Sequence, residues 1–131
     1  AKTIVFVCHG NICRSPFAES YAKKVFPDKM ISSTGTFHLE DRLSPINAVE
    51  AAYNLGVNLS GHYSKCLDPN KANEDVYIVM DKSNYYELLK LGVSENKICF
   101  LSGKEVADPY KKSTFDFEKC YTEIKNAIDQ L

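Results

Sequence analysis

The sequence is poor in arginine and has no excess of charge of either sign. Its 131 residues hold 16 lysines and arginines against 17 acidic residues, which gives a formal net charge of −1. Because it has no basic excess and no dense cationic block, the sequence gives no support to a nucleic-acid or membrane-surface partner. Arginine occurs only at Arg14 and Arg42, beside fourteen lysines. Any anion must therefore be recognised locally, and Arg14 offers the planar fork that suits an oxyanion.

Long hydrophobic runs and closely paired cysteines are also missing. The apolar run at residues 3–7 is too short for a signal peptide or a membrane span. The five cysteines are an odd number and lack the close pairing of a secreted disulfide framework. With 44% hydrophobic residues, the chain can build its own core. We therefore expect a single domain over residues 1–131 that is cytoplasmic and monomeric.

Short apolar runs alternate with amphipathic segments along the chain. Helix starts are predicted at Ser15-Pro16 and Ser44-Pro45, with serine as the cap, and at Asp81, which can cap the helix that follows it. This alternation predicts an α/β fold in which a parallel sheet is flanked by helices on both faces. The predicted strands cover residues 3–7, 30–34, 76–80 and 98–101, and the predicted helices cover residues 16–26, 45–55, 82–91 and 114–131.

The loop after the first predicted strand contains a nucleophile beside an arginine. Five residues separate Cys8 from Arg14, and within that gap Gly10 and Asn11 can supply the left-handed conformations of a tight loop. Because the loop ends at a helix N-terminus, its amide groups and the helix dipole attract an anion. The same field and the guanidinium of Arg14 favour the thiolate form of Cys8. This arrangement suits phosphoryl transfer.

Transfer of a phosphoryl group from a phosphate ester to a thiolate also requires an acid, because the departing oxygen must be protonated. Asp108 lies in the loop after the fourth predicted strand, and the same carboxylate can later activate water. Ser15 can donate a hydrogen bond to the sulfur, and Asn11 can brace the loop backbone. Since ligands collect beyond the carboxyl ends of parallel strands, we expect Cys8, Asp81 and Asp108 to converge there. Asp81 is either a helix cap alone or a residue of the pocket as well. No metal or cofactor is required.

Residues 7–16 resemble the signature of the low-molecular-weight protein tyrosine phosphatases, and the likeness extends along nearly the whole chain. Other segments similar to that family are residues 32–36, 59–62, 79–84 and 108–110. The resemblance implies a single-domain, three-layer fold whose four-stranded parallel sheet has the order 2-1-3-4, with the phosphate loop after the first strand. It also implies hydrolysis of phosphotyrosine in proteins, so that the expected partner is a tyrosine-phosphorylated protein.

The family pattern also implies a function for individual residues. By resemblance, Cys8 is the nucleophile, Arg14 the phosphate and transition-state ligand, and Asp108 the acid and base. Asn11, Ser15 and His62 are implied to support the loop. The phosphate is implied to rest on the residues of the loop, which are His9, Gly10, Asn11, Ile12, Cys13 and Arg14.

Substrate preference rests on positions where the chain departs from the family. His9 stands where a small apolar residue is common, so it is expected to line the mouth of the pocket. The aromatic wall is expected from Phe37 or His38, with Tyr110 as the other candidate. Lys111 follows Tyr110 where mammalian members have a second tyrosine, which argues against regulation by a tyrosine pair.

Cys13 has two interpretations. It is either a small packing residue or a thiol that forms a disulfide with Cys8 under oxidation, and the resemblance favours the redox function. A zinc site at Cys8, His9 and Cys13 is disfavoured, because two of these ligands are adjacent and no second pair matches them.

Two rival functions remain open from the sequence. Arsenate reductases share the loop and the fold but need a close downstream pair of redox cysteines, whereas here the nearest spacing is Cys99 to Cys120. A cysteine phosphocarrier would need neither Arg14 nor Asp108. The joint presence of these two residues therefore favours a phosphatase.

Overall fold

The structure, a computed structural model, describes residues 3–71 and 74–131, and its centre is a parallel sheet. The strands are β1 (Thr3–Cys8), β2 (Met30–Gly35), β3 (Val76–Val79) and β4 (Ile98–Phe100). They pair in the order β2-β1-β3-β4, and every pairing is parallel. The predicted sheet order is thereby confirmed.

Helices cover both faces of the sheet. They are α1 (Arg14–Val25), α2 (Ile46–Asn54), α3 (Lys82–Lys90) and α4 (Thr114–Asp129), and short 3-10 turns lie at Pro69–Lys71, Glu95–Lys97 and Leu101–Gly103. α1, α2 and α4 share one core with one face of the sheet, whereas α3 packs on the other face. The predicted three-layer architecture is confirmed. None of the described helices is both long and apolar enough to cross a membrane.

The central strand β1 is apolar at nearly every position because both of its faces are buried. Phe6 and Cys8 belong to the core beneath α1, α2 and α4, while Val5 and Val7 belong to the core beneath α3. A strand buried on both faces needs apolar side chains on both, which removes the usual alternation. This burial holds the end of β1, and with it Cys8, in one position.

Two predicted helix caps are wrong, and one is confirmed. α1 begins at Arg14, so that Ser15 lies inside the helix and its hydroxyl contacts the sulfur of Cys8. α2 begins after Pro45, and the Ser44 hydroxyl has no hydrogen-bond partner among the described residues. Asp81 accepts from the backbone of Asn84 and caps α3 as predicted. Ser113, which was not predicted as a cap, caps α4 by accepting from the backbone of Asp116.

Three loops meet at the carboxyl edge of the sheet. The first joins β1 to α1, the second begins at Asp81 after β3, and the third follows β4 and leads to Asp108. Arg14 contacts residues of both other loops, which confirms the predicted convergence.

Candidate active site

Cys8 ends β1 at the base of the loop and is almost fully buried. Its Sγ lies 2.9 Å from the Oγ of Ser15 in the first turn of α1. The side-chain amide of Asn11 donates to that same Ser15 oxygen over 2.9 Å, and an amide nitrogen can only donate. The hydroxyl hydrogen of Ser15 is therefore free to point at the sulfur, which stabilises negative charge there.

Asn11 connects the loop to its surroundings through both ends of its side chain. Its Nδ2 also donates to the Ser33 hydroxyl over 2.9 Å, and its Oδ1 accepts from the backbone of Lys65 over 2.9 Å. The residue is fully buried with a φ of 56°, a left-handed conformation that asparagine tolerates. Gly10 was expected to share this conformation, but its φ is not positive. The curvature of the loop depends on Asn11 instead.

His62 supports the loop from outside. Its Nε2 lies 2.8 Å from the backbone oxygen of Asn11. Burial lowers the pKa of His62, although its bond to this carbonyl opposes the shift. The neutral ring therefore carries its hydrogen on Nε2 and donates it to the carbonyl, as expected of a structural histidine.

Gly35, at the end of β2, is a residue of the site that the sequence analysis missed. A Cβ on Gly35 would lie 2.8 Å from the backbone oxygen of His9 and 3.1 Å from the backbone nitrogen of Asn11. Glycine is required here because the backbone of the loop packs directly on the backbone of the strand. The signal that the sequence offered for this close contact was a glycine directly after the predicted second strand.

Arg14 is held by two acceptors through Nη1, and the N–H donor of its buried Nε is unused within the described part of the chain. Its Nη1 donates to Asp81 over 2.8 Å and to the backbone oxygen of Val106 over 2.7 Å. Burial lowers the pKa of Arg14, but the nearby Cys8 sulfur, the bond to Asp81 and the charge of Asp108 outweigh it, so that the pKa is raised. The buried Nε has no hydrogen-bond partner among the described residues. This orphaned donor fits an oxygen of a bound anion.

Asp108 lines the same cavity as Arg14 and is more exposed. Its Oδ2 is 3.8 Å from Nη2 of Arg14, and its Oδ1 accepts from the backbone of Tyr110 over 3.1 Å. Its side chain is 43% exposed, so water reaches it. A carboxylate placed in this way can exchange protons with solvent.

Cys8, Arg14 and Asp108 line one cavity of about 520 Å³. The ring of His9 stacks on Phe37 with ring centroids 4.8 Å apart and forms one wall, while Tyr110 lies beside Asp108. His38 was expected as a wall residue, but it is exposed and is not among the described residues that line the cavity. The lining residues are Cys8, His9, Gly10, Ile12, Cys13, Arg14, Phe37, Leu39, Arg42, Leu43, Pro45, Asp108 and Tyr110.

Cys13 lies beside Cys8 in the same cavity and is buried. Both are free thiols. Burial raises the pKa of Cys13, and the charges of Asp108 and Cys8 add to the effect. The hydroxyl of Tyr121 donates to the backbone oxygen of Cys13 over 2.7 Å. Cys13 is therefore a protonated thiol held close to the sulfur of Cys8.

Metal ligation has little support in the part of the chain that the structure describes. There, no group of three or more histidine, cysteine, aspartate or glutamate side chains is arranged to hold an ion. The donors of the cavity instead match a small oxyanion, since loop amides and a guanidinium both donate hydrogen bonds.

Comparison with known proteins gives a consistent result. The family model described as low molecular weight phosphotyrosine protein phosphatase matches residues 3–131. A putative low molecular weight protein-tyrosine-phosphatase of Klebsiella pneumoniae is 33% identical over 135 residues, which cover 98% of this chain and 91% of that protein. The crystal structure of the Erwinia amylovora tyrosine phosphatase amsI has a TM-score of 0.92 at 31% identity and covers 98% of this chain and 89% of its own. Arsenate reductase 2 of Staphylococcus haemolyticus is 32% identical over 133 residues, which cover 99% of this chain and 95% of that protein.

Proposed function

The chain belongs to the low molecular weight phosphotyrosine protein phosphatase family, a family of hydrolases, and from that premise we propose that it hydrolyses phosphotyrosine in proteins through a cysteinyl-phosphate intermediate. The observation that carries the proposal is that Cys8, Arg14 and Asp108 line one cavity. The unpartnered Nε of Arg14 supports it, because that donor is available to a phosphate oxygen.

In the first half-reaction, the thiolate of Cys8 attacks phosphorus and the bond from phosphorus to the tyrosine oxygen breaks. Arg14 and the amides of the loop bind the equatorial oxygens, whose charge is spread in the transition state. Asp108 gives its proton to the departing phenolate oxygen. The products are a cysteinyl phosphate and a free tyrosine side chain.

In the second half-reaction, Asp108 removes a proton from a water molecule that attacks the phosphorus. The bond from phosphorus to sulfur breaks, and the sulfur leaves as a thiolate. The 2.9 Å contact between Ser15 Oγ and Cys8 Sγ supports this step, since a hydroxyl donor stabilises the departing sulfur. Inorganic phosphate then leaves the loop.

The site lies within one chain, which is consistent with a monomer that acts on a tyrosine-phosphorylated protein. Because the nucleophile works only as a reduced thiol, we also propose the cytoplasm as its compartment.

Arsenate reduction is a second candidate, because a relative with 32% identity bears that name. The described cysteines do not favour it. Cys99 is exposed and lies on β4, whereas Cys120 is buried in α4, so the two differ in both element and accessibility. Neither lines the cavity that contains Cys8.

The deciding experiment measures turnover of p-nitrophenyl phosphate and of a phosphotyrosine peptide. We expect Cys8→Ser to lose about 10⁴-fold or more in kcat, while Cys66→Ser, which alters a cysteine outside the cavity, stays active. Acid quenching of the wild type with labelled substrate should trap phosphate on Cys8. Undiminished turnover by Cys8→Ser would contradict the mechanism, and thiol-dependent reduction of arsenate without aryl phosphate hydrolysis would favour the second candidate.

A further inference from the structure

Arg42 lies at the cavity that the proposed phosphatase reaction uses, yet nothing in that reaction requires it. It lines the cavity together with Leu43 and Pro45, on the segment between β2 and α2. Arg14 already supplies the guanidinium that the phosphate needs. The chain has only two arginines, and both line this cavity. The second one is therefore available to bind a group other than the phosphate.

The backbone beneath Arg42 is fixed. The buried Ser64 donates its backbone N–H to the carbonyl of Arg42 over 2.8 Å, and its hydroxyl accepts from the N–H of Arg42 over 3.0 Å. The N–H of Asp41 donates to the carbonyl of Ser64 over 2.9 Å. Leu43 forms an antiparallel bridge with Tyr63 directly after this point. Arg42 is therefore presented from a rigid position on the rim.

The guanidinium of Arg42 is available. It forms no hydrogen bond or ion pair with any residue in the described part of the chain, including its acidic neighbours Glu40 and Asp41. By contrast, the guanidinium of Arg14 is bound to Asp81 and Val106. An exposed and unpaired arginine on a rigid rim can bind a carboxylate in two-point geometry.

A second cation lies next to a residue of the cavity. Tyr110 lines the cavity, and the Nζ of Lys111 lies 5.7 Å from the centre of its ring. A substrate peptide that passes Tyr110 therefore also meets a positive charge. This second cation adds to the attraction of an acidic segment.

Resting on the proposed phosphatase function, we propose that Arg42 determines substrate preference by binding an aspartate or glutamate side chain next to the phosphotyrosine. The substrate class is an acidic phosphotyrosine peptide. Recognition occurs at the rim and leaves the chemistry at Cys8 unchanged. The net charge of the chain, −1, has the same sign as an acidic peptide and cannot attract it, so the preference is local to the rim.

The test compares two phosphotyrosine peptides that differ only in the residues flanking the phosphotyrosine, which are aspartate in one and asparagine in the other. The measured quantity is the ratio of kcat/KM for the two peptides within each protein, because this ratio cancels any general effect of a substitution on catalysis. We expect the wild type to favour the aspartate peptide by about threefold to fivefold, as for exposed ion pairs. Arg42→Gln should bring the ratio close to one, and Arg42→Glu should reverse it.

The matched control is Lys90→Gln, which removes an exposed cation at the end of α3 that does not line the cavity. Its ratio should equal that of the wild type. A wild-type ratio of one or less, or a preference that persists in Arg42→Gln, would overturn the inference while the phosphatase function stands. Failure of the wild type to hydrolyse either peptide or p-nitrophenyl phosphate would instead refute the proposed function, and the inference with it.

Discussion

Asp81 binds Arg14 and caps a helix with the same carboxylate. Its Oδ2 accepts from Nη1 of Arg14 over 2.8 Å, while its Oδ1 accepts from the backbone of Asn84 over 2.9 Å. The start of α3 therefore fixes the orientation of the guanidinium in the cavity. Of the two interpretations offered by the sequence, the helix cap is confirmed, whereas Asp81 is not among the described residues that line the cavity and touches the site through Arg14.

Asp81→Asn separates these two functions, because asparagine also caps helices well but lacks the charge. We expect Asp81→Asn to lower kcat/KM for p-nitrophenyl phosphate by about tenfold to a hundredfold through misplacement of Arg14. Asp81→Ala should lose about 1 kcal/mol more of the free energy of unfolding, measured in urea. Ser113→Ala is the matched control: it removes the cap of α4 at a similar cost in stability and should leave kcat/KM unchanged. Wild-type kcat/KM in Asp81→Asn would show that the carboxylate does not position Arg14.

Asp108→Asn should lower kcat by about 10²- to 10⁴-fold for substrates with poor leaving groups, because asparagine cannot protonate the departing oxygen. The loss should shrink as the phenol becomes more acidic, since a good leaving group needs less help. A series of substituted aryl phosphates measures this dependence. Glu105→Gln, at an exposed carboxylate in the same loop, is the control. An equal loss across the series would contradict acid catalysis by Asp108.

His62 makes the free energy of unfolding decrease as the pH is lowered. Its pKa in the folded protein is below the ordinary value of 6.5, chiefly because of burial. As the pH falls below 6.5, the unfolded chain binds a proton more readily than the folded one, so the folded state loses stability. We expect the difference in free energy of unfolding between wild type and His62→Gln to shrink between pH 8 and pH 5, as measured with urea.

The exposed His38 provides the control for this measurement. His38→Gln removes a histidine that makes no hydrogen bond to the loop, and its difference from the wild type should not follow the same pH trend. If the two substitutions change the pH dependence of the free energy of unfolding equally, the effect does not arise from the contact between His62 and the backbone oxygen of Asn11.

Cys13 should protect Cys8 from irreversible oxidation. Peroxide converts the Cys8 thiolate to a sulfenic acid and releases hydroxide, and the thiol of Cys13 then displaces water to form a disulfide. We expect wild-type activity to return with dithiothreitol and the oxidised protein to be about 2 Da lighter. Cys13→Ser should lose activity irreversibly under the same treatment.

Cys120→Ser is the control for the oxidation experiment, because Cys120 is also buried but does not line the cavity. Burial raises the pKa of Cys120 to about 12. This variant should recover like the wild type. Equal recovery by Cys13→Ser would mean that Cys13 is only a packing residue.

Features that depend on neighbouring positions in the chain were predictable from the sequence. The continuous apolar run of β1 indicated a strand covered on both faces, and Asp81 before α3 indicated a cap. The order of strands and helices was enough to bring Cys8, Asp81 and Asp108 to one edge. The sheet order came from family resemblance rather than from the pattern itself.

Features that depend on distant pairs were not predictable from the pattern of the chain alone. The contact of Asn11 with His62 spans 51 positions, and only the family resemblance implied that His62 supports the loop. The close approach of Gly35 to His9 is a backbone contact with no side-chain signal. The position of Arg42 depends on Ser64, a residue that nothing in the local sequence marks. Ser15 was predicted both to cap the helix and to donate a hydrogen bond to the sulfur of Cys8. The structure shows the contact with the sulfur and not the cap.

The hydrogen bonds that connect Cys8 to the protein interior also determine the route by which its sulfur can exchange protons. A continuous chain runs from the partly buried Glu19 through Ser33, Asn11 and Ser15 to the sulfur. Asn11 stands in the middle and donates from its amide nitrogen to both hydroxyls, and a neutral amide cannot pass a proton on in that arrangement. The chain is therefore a proton insulator rather than a proton wire. Among the described residues, this leaves the open cavity that Asp108 lines as the route by which the sulfur of Cys8 can exchange protons.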